Sequence, residues 1–204
     1  MKQKEKTERT KERIIEAAVK EFGENGYAAA TIGAVCGRHG IAKGLIYHNF
    51  AGKDELYLTC AARVFNDLTQ FLKSQEAGVD LKQYMNRRIQ YFSERPLYAG
   101  IFFEAILQPP QGLEAEIKKL KKDFDLFNKS IYQRAISSLT LRKGITEAAA
   151  LEYYSIMQEM FNGYFSSPAY AGKNLTEKVA DHEKKLAQML DILLYGLAEK
   201  EKSL

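Results

Sequence analysis

The chain has 204 residues, 46% of them apolar and 11% aromatic, which supports a real hydrophobic core and excludes a disordered polypeptide. Its 30 Lys/Arg against 26 Asp/Glu leave a formal charge of +4. No apolar run approaches the ~20 residues of a membrane span, and the opening M-K-Q-K-E-K-T-E-R-T has no apolar stretch behind it, so a cytoplasmic protein without a secretory leader is expected.

Only four prolines occur (Pro96, Pro109, Pro110 and Pro168), and the windows between them carry helical periodicity, so an all-α fold is expected. The first helix is read over Glu8–Asn25, with Ile14, Ile15, Ala18, Val19 and Phe22 as its apolar stripe and Gly26 as the residue past its end. The segment T-I-G-A-V-C-G-R-H-G-I-A-K-G-L-I-Y-H-N-F-A-G-K-D, residues 31 to 54, then reads as a short helix, a glycine-centred turn and a second short helix. Thr31 is placed to cap the first of these. Ile32, Val35 and Cys36 form its inward stripe, and Gly40 stands where the turn needs positive φ. Ile46 and Phe50 turn the second helix inward, leaving Lys43, Gly44, Tyr47 and His48 outward. That is the layout of a helix-turn-helix that meets a DNA major groove, against the plainer reading of a solvated turn between core helices.

Charge agrees with the DNA reading. No Asp or Glu occurs between Glu24 and Asp54, whereas Arg38, Lys43 and Lys53 do, with His39 and His48 beside them. From Met1 to Arg63, 11 Lys/Arg stand against 8 Asp/Glu, so +3 of the chain's +4 lies there. Freedom from acidic groups avoids repulsion with phosphate, the source of most non-specific affinity.

A run from Leu56 through Tyr57, Cys60, Ala61, Val64, Phe65 and Leu68 to Leu72 keeps a helical period and connects this head to the rest. Cys36 and Cys60 lie on apolar faces and read as free thiols. Further helices are read over residues 81–94, 97–107, 113–139, 147–165 and 176–199, with breaks at Arg95-Pro96, Pro109-Pro110, Lys143-Gly144 and 166–173. The expected division is a DNA-binding domain over residues 1–53 and a body over 54–204, with helix 54–72 connecting them. The charge-dense stretch 116–125 reads as the solvated face of a helix.

The matching positions Ile14-Ile15-x-Ala17-Ala18-x3-Phe22-x3-Gly26-Tyr27, Thr31, Gly40-Ile41-x-Lys43-Gly44-x-Ile46-Tyr47-x2-Phe50 and Lys53-Asp54-x-Leu56 recur together. With them the stretch from about Thr10 to Phe65 resembles the N-terminal domain of the tetracycline-repressor (TetR) family of bacterial transcriptional regulators. The chain departs from that pattern at Ala42, where a capping Ser or Thr is usual, and at Leu45, Val35-Cys36 and His39. These changes bear on which operator is read. The resemblance implies an N-terminal DNA-binding head, a helical body that binds an effector, and a dimer built by the last two helices.

On these grounds Lys43, Leu45 and His48 are the expected base readers, with Gly44 allowing close approach. Thr31, Tyr47, Asn49 and Lys53 would meet phosphates and fix register, and Arg38 is counted with the DNA-binding residues. The aromatic body suggests an apolar small-molecule site drawn from Phe65, Arg88, Phe92, Phe103, Glu104, Leu107, Phe124, Phe127, Tyr154, Met157 and Phe161, although aromatics at helical spacing also simply fill cores. Seams on the last two helices nominate Tyr153, Met160, Tyr164, Leu186, Leu190, Leu193 and Leu197 for a homodimer interface. No H-E-x-x-H, C-x-x-C, G-x-S-x-G or P-loop lysine occurs, so no catalytic residue, metal or cofactor is expected. The reading is therefore a ligand-responsive repressor on a pseudo-palindromic operator. A DNA-free homodimeric binding module is the alternative, and an all-helical enzyme comes last.

Overall fold

The computed structural model describes residues 2–74, 80–170 and 174–197, and every regular element among them is helical. In order they are α1 (Lys2–Ala29), α2 (Ile32–His39), α3 (Lys43–Asn49), α4 (Lys53–Lys73), α5 (Leu81–Glu94), α6 (Pro96–Leu107), α7 (Glu114–Leu120), α8 (Lys122–Ser137), α9 (Glu147–Ser166) and α10 (Leu175–Leu197), with a 3-10 turn over Pro168–Tyr170. The chain punctuates itself as local chemistry requires. Thr31 and Thr146 cap α2 and α9 through their hydroxyls, Asp80 and Asn174 accept from the first turns of α5 and α10, and Pro96 opens α6.

Two helices differ from expectation. The first runs from Lys2 to Ala29 rather than from Glu8 to Asn25, but Gly26 leaves helical geometry inside it (φ 73°, ψ 169°), so the expected end survives as a kink. The single helix read over 113–139 is two, α7 and α8, meeting at Lys121, whose amide still bonds back to Ile117. In the sequence the spacing of Ile117, Leu120, Phe124 and Phe127 runs on without interruption, and neither Gly nor Pro marks the break.

Two compact units emerge. The first joins Met1–Leu68 to Glu94–Lys121. Its main packing is α1 on α6, brought together by two glycines. A Cβ on Gly100 would sit 2.5 Å from the Gly23 carbonyl oxygen, and one on Gly23 would sit 2.6 Å from that of Leu97. Only backbone fits there. Ile14, Ala18, Phe22, Leu56, Tyr57, Val64, Phe102 and Phe103 fill the core around this contact.

The second unit joins Thr69–Ser93 to Lys122–Leu204. Here α8 and α10 both pack against α9. The unit buries an ion pair, in which Arg88 donates to both carboxylate oxygens of Glu183 at 2.8 and 2.7 Å. His182, also buried, lies 3.2 Å from Glu183 and 3.3 Å from the Asn162 amide oxygen. Burial alone would raise the Glu183 carboxyl, but the Arg88 charge and hydrogen bonds, with His182, hold it at about 2.

Candidate nucleic-acid interface

The helix-turn-helix is built as its residues require. Thr31 Oγ1 accepts from the Ala34 amide at 3.0 Å, and Gly40 ends α2 in the left-handed region (φ 60°). Ala42 precedes α3 and supplies no side-chain cap. Ile32, Val35, Ile41, Ile46 and Phe50 are buried beneath the two helices. With those pointing inward, Lys43, Gly44, Leu45, Tyr47 and His48 stand exposed on α3, Leu45 at 43% and Tyr47 at 53%. The Lys43 ammonium lies 5.8 Å above the Tyr47 ring, so cation and phenol form one exposed patch. No Cβ contact crowds Gly44, which leaves the backbone open to approach.

The remaining residues nominated for DNA are engaged with the head itself. Arg38 bonds Glu24 at 2.6 Å and approaches Glu21 at 3.4 Å. The acid-free stretch of sequence is therefore not an acid-free surface, because α1 folds two glutamates against its arginine. The Asn49 amide donates to the Leu45 carbonyl at 2.7 Å. Thr31 accepts the cap bond with its hydroxyl oxygen, and that bond does not use the hydroxyl proton.

Lys53 is held most closely. Its ammonium lies 4.3 Å above the Tyr27 ring and 3.5 Å from the Ala28 carbonyl. The Tyr27 hydroxyl in turn donates to Asp54 at 2.5 Å, and this bond, helped by partial burial, pushes the phenol up to about 12. Tyr27 therefore stays a neutral donor throughout the physiological range. Sequence reading gave Tyr27 no role in the site. The signal was there in the Gly-Tyr pair that closes α1, but its partner Asp54 lies 27 residues away.

The residues nominated for a ligand divide between the two units. In the first unit Phe65 and Phe103 both pack near Phe102, at ring separations of 5.3 and 5.2 Å, and Leu107 is buried. Glu104 accepts the Tyr27 amide at 2.8 Å. In the second unit Phe92 and Phe124 lie over the Arg88 guanidinium at 5.9 and 5.5 Å, Phe127 meets Tyr84, Tyr154 stacks on Tyr132 at 4.3 Å, and Phe161 meets Phe165 and His182. Met157 is half-buried. Arg88 is already satisfied by Glu183, a partner sequence reading did not foresee. A groove of about 1120 Å³ opens instead in the second unit, with Met85, Ile131 and Leu194 as apolar floor and Lys82, Arg134 and Asp191 among its polar lining. None of the nominated ligand residues lines it.

The nominated interface residues also separate. Tyr153, Met160 and Tyr164 are exposed along one stripe of α9 together with Ile156. Leu186 and Leu190, by contrast, are each 3% exposed, so they are core of the chain itself and not a free face. Leu193 is half-buried, and the side chain of Leu197 falls outside the described residues. The exposed apolar stripe of α10 is Met189, Ile192 and Tyr195, displaced around the helix from the seam expected. Helical periodicity finds both stripes but does not say which faces inward.

Among the described residues no helix is long and apolar enough to cross a membrane, and no cluster of His, Cys, Asp or Glu is arranged to hold a metal ion.

Residues 14–60 match the family model described as "Bacterial regulatory proteins, tetR family". The HTH-type transcriptional regulator UidR of Escherichia coli (strain K12) is 31% identical over 109 residues, covering 49% of this chain and 54% of that protein. The biofilm operon icaADBC HTH-type negative transcriptional regulator IcaR of Staphylococcus epidermidis is 28% identical over 112 residues, covering 53% and 59%. The chain thus spans between half and three-fifths of the length of these curated relatives. Among solved structures, the transcriptional regulator FadR from Bacillus subtilis in complex with stearoyl-CoA superposes with a TM-score of 0.63 at 17% identity, over 91% of this chain and 98% of that one, a likeness of fold. Over residues 14–60, which hold the helix-turn-helix, the chain is thus similar to the tetR family of bacterial regulatory proteins, and its all-helical fold is like that of solved regulators of this kind.

Proposed function

We propose that this chain is a ligand-responsive transcriptional repressor that binds a pseudo-palindromic operator as a homodimer and lets go when a small apolar or amphipathic effector binds. The observation that carries the DNA reading is the exposed face of α3, which offers Lys43, Leu45, Tyr47 and His48 together above a buried helix-turn-helix core. Lys43, Leu45 and His48 read base edges, Leu45 by contact with a thymine methyl. Thr31, Tyr47 and Lys53 hold phosphates.

Pairing of two heads comes from a second copy docking on the exposed stripes of α9 and α10, where Met160 at 70% and Ile192 at 66% leave apolar surface uncovered. The effector reading is supported by the groove of the second unit, whose volume and apolar floor with polar rim suit a small amphipathic molecule. The protein works in the cytoplasm, without catalytic chemistry. The domain boundary at residues 53/54 stands as part of the same reading, a head that meets DNA and a body that senses.

Selection of bound fragments from random duplexes tests the central claim. Enrichment of an inverted repeat with half-site centres about 10–10.5 bp or a multiple apart is expected. Recovery of no preferred sequence, with no retarded complex at low salt, would leave the DNA-free binding module instead. In sedimentation, Met160→Lys with Ile192→Lys should give monomers that still bind single half-sites weakly. Unaltered dimers would place the interface elsewhere.

A further inference from the structure

We propose that Glu104 of α6 is a positioning residue for the phosphate-facing Lys53. By holding the Tyr27 amide it sets both the ring on which the Lys53 ammonium rests and the point where the chain turns into α2. The inference rests on the DNA-binding reading and adds to it a residue far along the chain.

The geometry runs through four groups. Gly26 leaves the helix with φ 73°, so the residues just after it depart from the regular course of α1. Glu104 Oε1 accepts from the Tyr27 amide at 2.8 Å across 77 residues of sequence. The fit is close, since a Cβ on Gly26 would stand 2.9 Å from that same oxygen. Tyr27 is then the support of Lys53, through the ring 4.3 Å below its ammonium, and its neighbour Ala28 offers the carbonyl at 3.5 Å. The Lys53 ammonium thus rests on the residue that Glu104 anchors and on the residue next to it. Three residues further on, Thr31 caps α2, so the same anchor bears on the start of the helix-turn-helix.

Two further features distinguish this contact from incidental packing. The buried Tyr57 hydroxyl faces the same Glu104 carboxylate and favours its charged form, and Tyr57 meets Tyr27 edge-to-face at 5.1 Å. Burial raises the Glu104 carboxyl, while the Tyr27 amide, the Tyr57 hydroxyl and the Lys53 charge pull it back. A carboxylate taken out of water among phenols is a costly way to fill space. It is an economical way to fix one backbone amide. The close backbone crossing of Gly23 and Gly100 holds the rest of α6 against α1, so Glu104 has little freedom to reach elsewhere.

The test uses the full chain and duplex DNA of random sequence over a salt series. Glu104→Gln keeps a carbonyl oxygen for the Tyr27 amide and should match wild-type affinity within about twofold, whereas Glu104→Ala should bind about fivefold more weakly to random and selected duplexes alike. Its salt slope should fall by about 0.9 per head, the signature of one lost phosphate contact. Lys53→Ala should cost the same alone, and add less than about twofold in the Glu104→Ala background. Losses that multiply in the double variant, or a Glu104→Ala protein with wild-type affinity and slope, overturn the proposal. Amide exchange at Tyr27 in wild type and Glu104→Gln gives an independent readout that does not require Glu104→Ala to fold. Protection is expected in both, and exchange at the open-chain rate overturns the proposal. A wild type that binds no duplex at all removes the regulator reading and this inference with it. A wild type that binds but ignores residue 104 removes this inference alone.

Discussion

The two units each take a glutamate out of water, and they treat it oppositely. In the second unit Glu183 is wholly buried, meets Arg88 through two hydrogen bonds, and is held at about 2. In the first unit Glu104 is half-buried, accepts one backbone amide, faces the Tyr57 hydroxyl but no guanidinium, and is raised by burial. A matched buried pair is hard to open, because removing either partner strands a charge in low dielectric. A single carboxylate on a backbone amide can be released at much lower cost. The second unit therefore locks α5 to α10, while the first ties α6 to the head by a contact that can yield.

Substitution at the two sites gives the largest expected contrast. Glu183→Ala should cost about 3–5 kcal/mol, since Arg88 is left buried and unpaired. Glu104→Gln should stay within about 1 kcal/mol, because it removes a desolvated charge and keeps an acceptor. Urea unfolding of the two variants measures both. Equal losses would erase the contrast.

Acid should act on the same pair with opposite signs. The Glu183 carboxyl is depressed from 4.5 to about 2, so the stability it contributes is present above 4.5 and lost as pH falls from there through about 2. Glu104 is raised above 4.5, so its contribution is present below that value and lost as pH rises through its folded pKa. Between pH 4.5 and 2 wild-type stability should fall, and Glu183→Gln should flatten that fall. A Glu183→Gln curve parallel to wild type would show that another group carries the acid sensitivity.

Backbone contact in the first unit comes next. Gly100→Ala would push a methyl to 2.5 Å from the Gly23 carbonyl oxygen, and should cost about 1–3 kcal/mol through forced separation of α1 and α6. Denaturation midpoints measure it, and a neutral substitution would mean the crossing relaxes without strain. The exposed patch should behave differently again. Lys43→Ala and His48→Ala should leave stability intact and weaken selected DNA by about 1–3 kcal/mol each, with preference relaxed at one base position per half-site. Equal loss on random DNA would reassign them to phosphate. Smallest of all, Thr31→Ala should cost about 1 kcal/mol of stability by freeing the Ala34 amide, read as a shift in thermal midpoint. An unshifted midpoint would mean the cap is replaced by water.

Local chemistry was legible in the sequence. Thr31, Gly40 and Pro96 act on neighbours within a few residues, so the cap, turn and break they specify do not depend on the rest of the chain. For the same reason the inward stripe of Ile32, Val35, Ile46 and Phe50, and the outward face of α3 that follows from it, could be read directly. What needed tertiary structure was every relation between residues far apart. Periodicity marked Leu186 and Leu190 as apolar without telling that they are core while Met189, Ile192 and Tyr195 are bare, because an apolar stripe looks the same whether it meets its own chain or another. Arg88 looked available until Glu183, 95 residues on, came to it. Arg38 looked like a free cation until α1 brought Glu21 and Glu24 against it. Glu104 read as one polar group in an aromatic helix, and only the crossing of α6 over α1 set its carboxylate on the amide of Tyr27. Spacing along a helix determines which residues share a face. Which charge meets which partner is decided by packing, since burial makes an unpaired charge costly and so ties distant residues together.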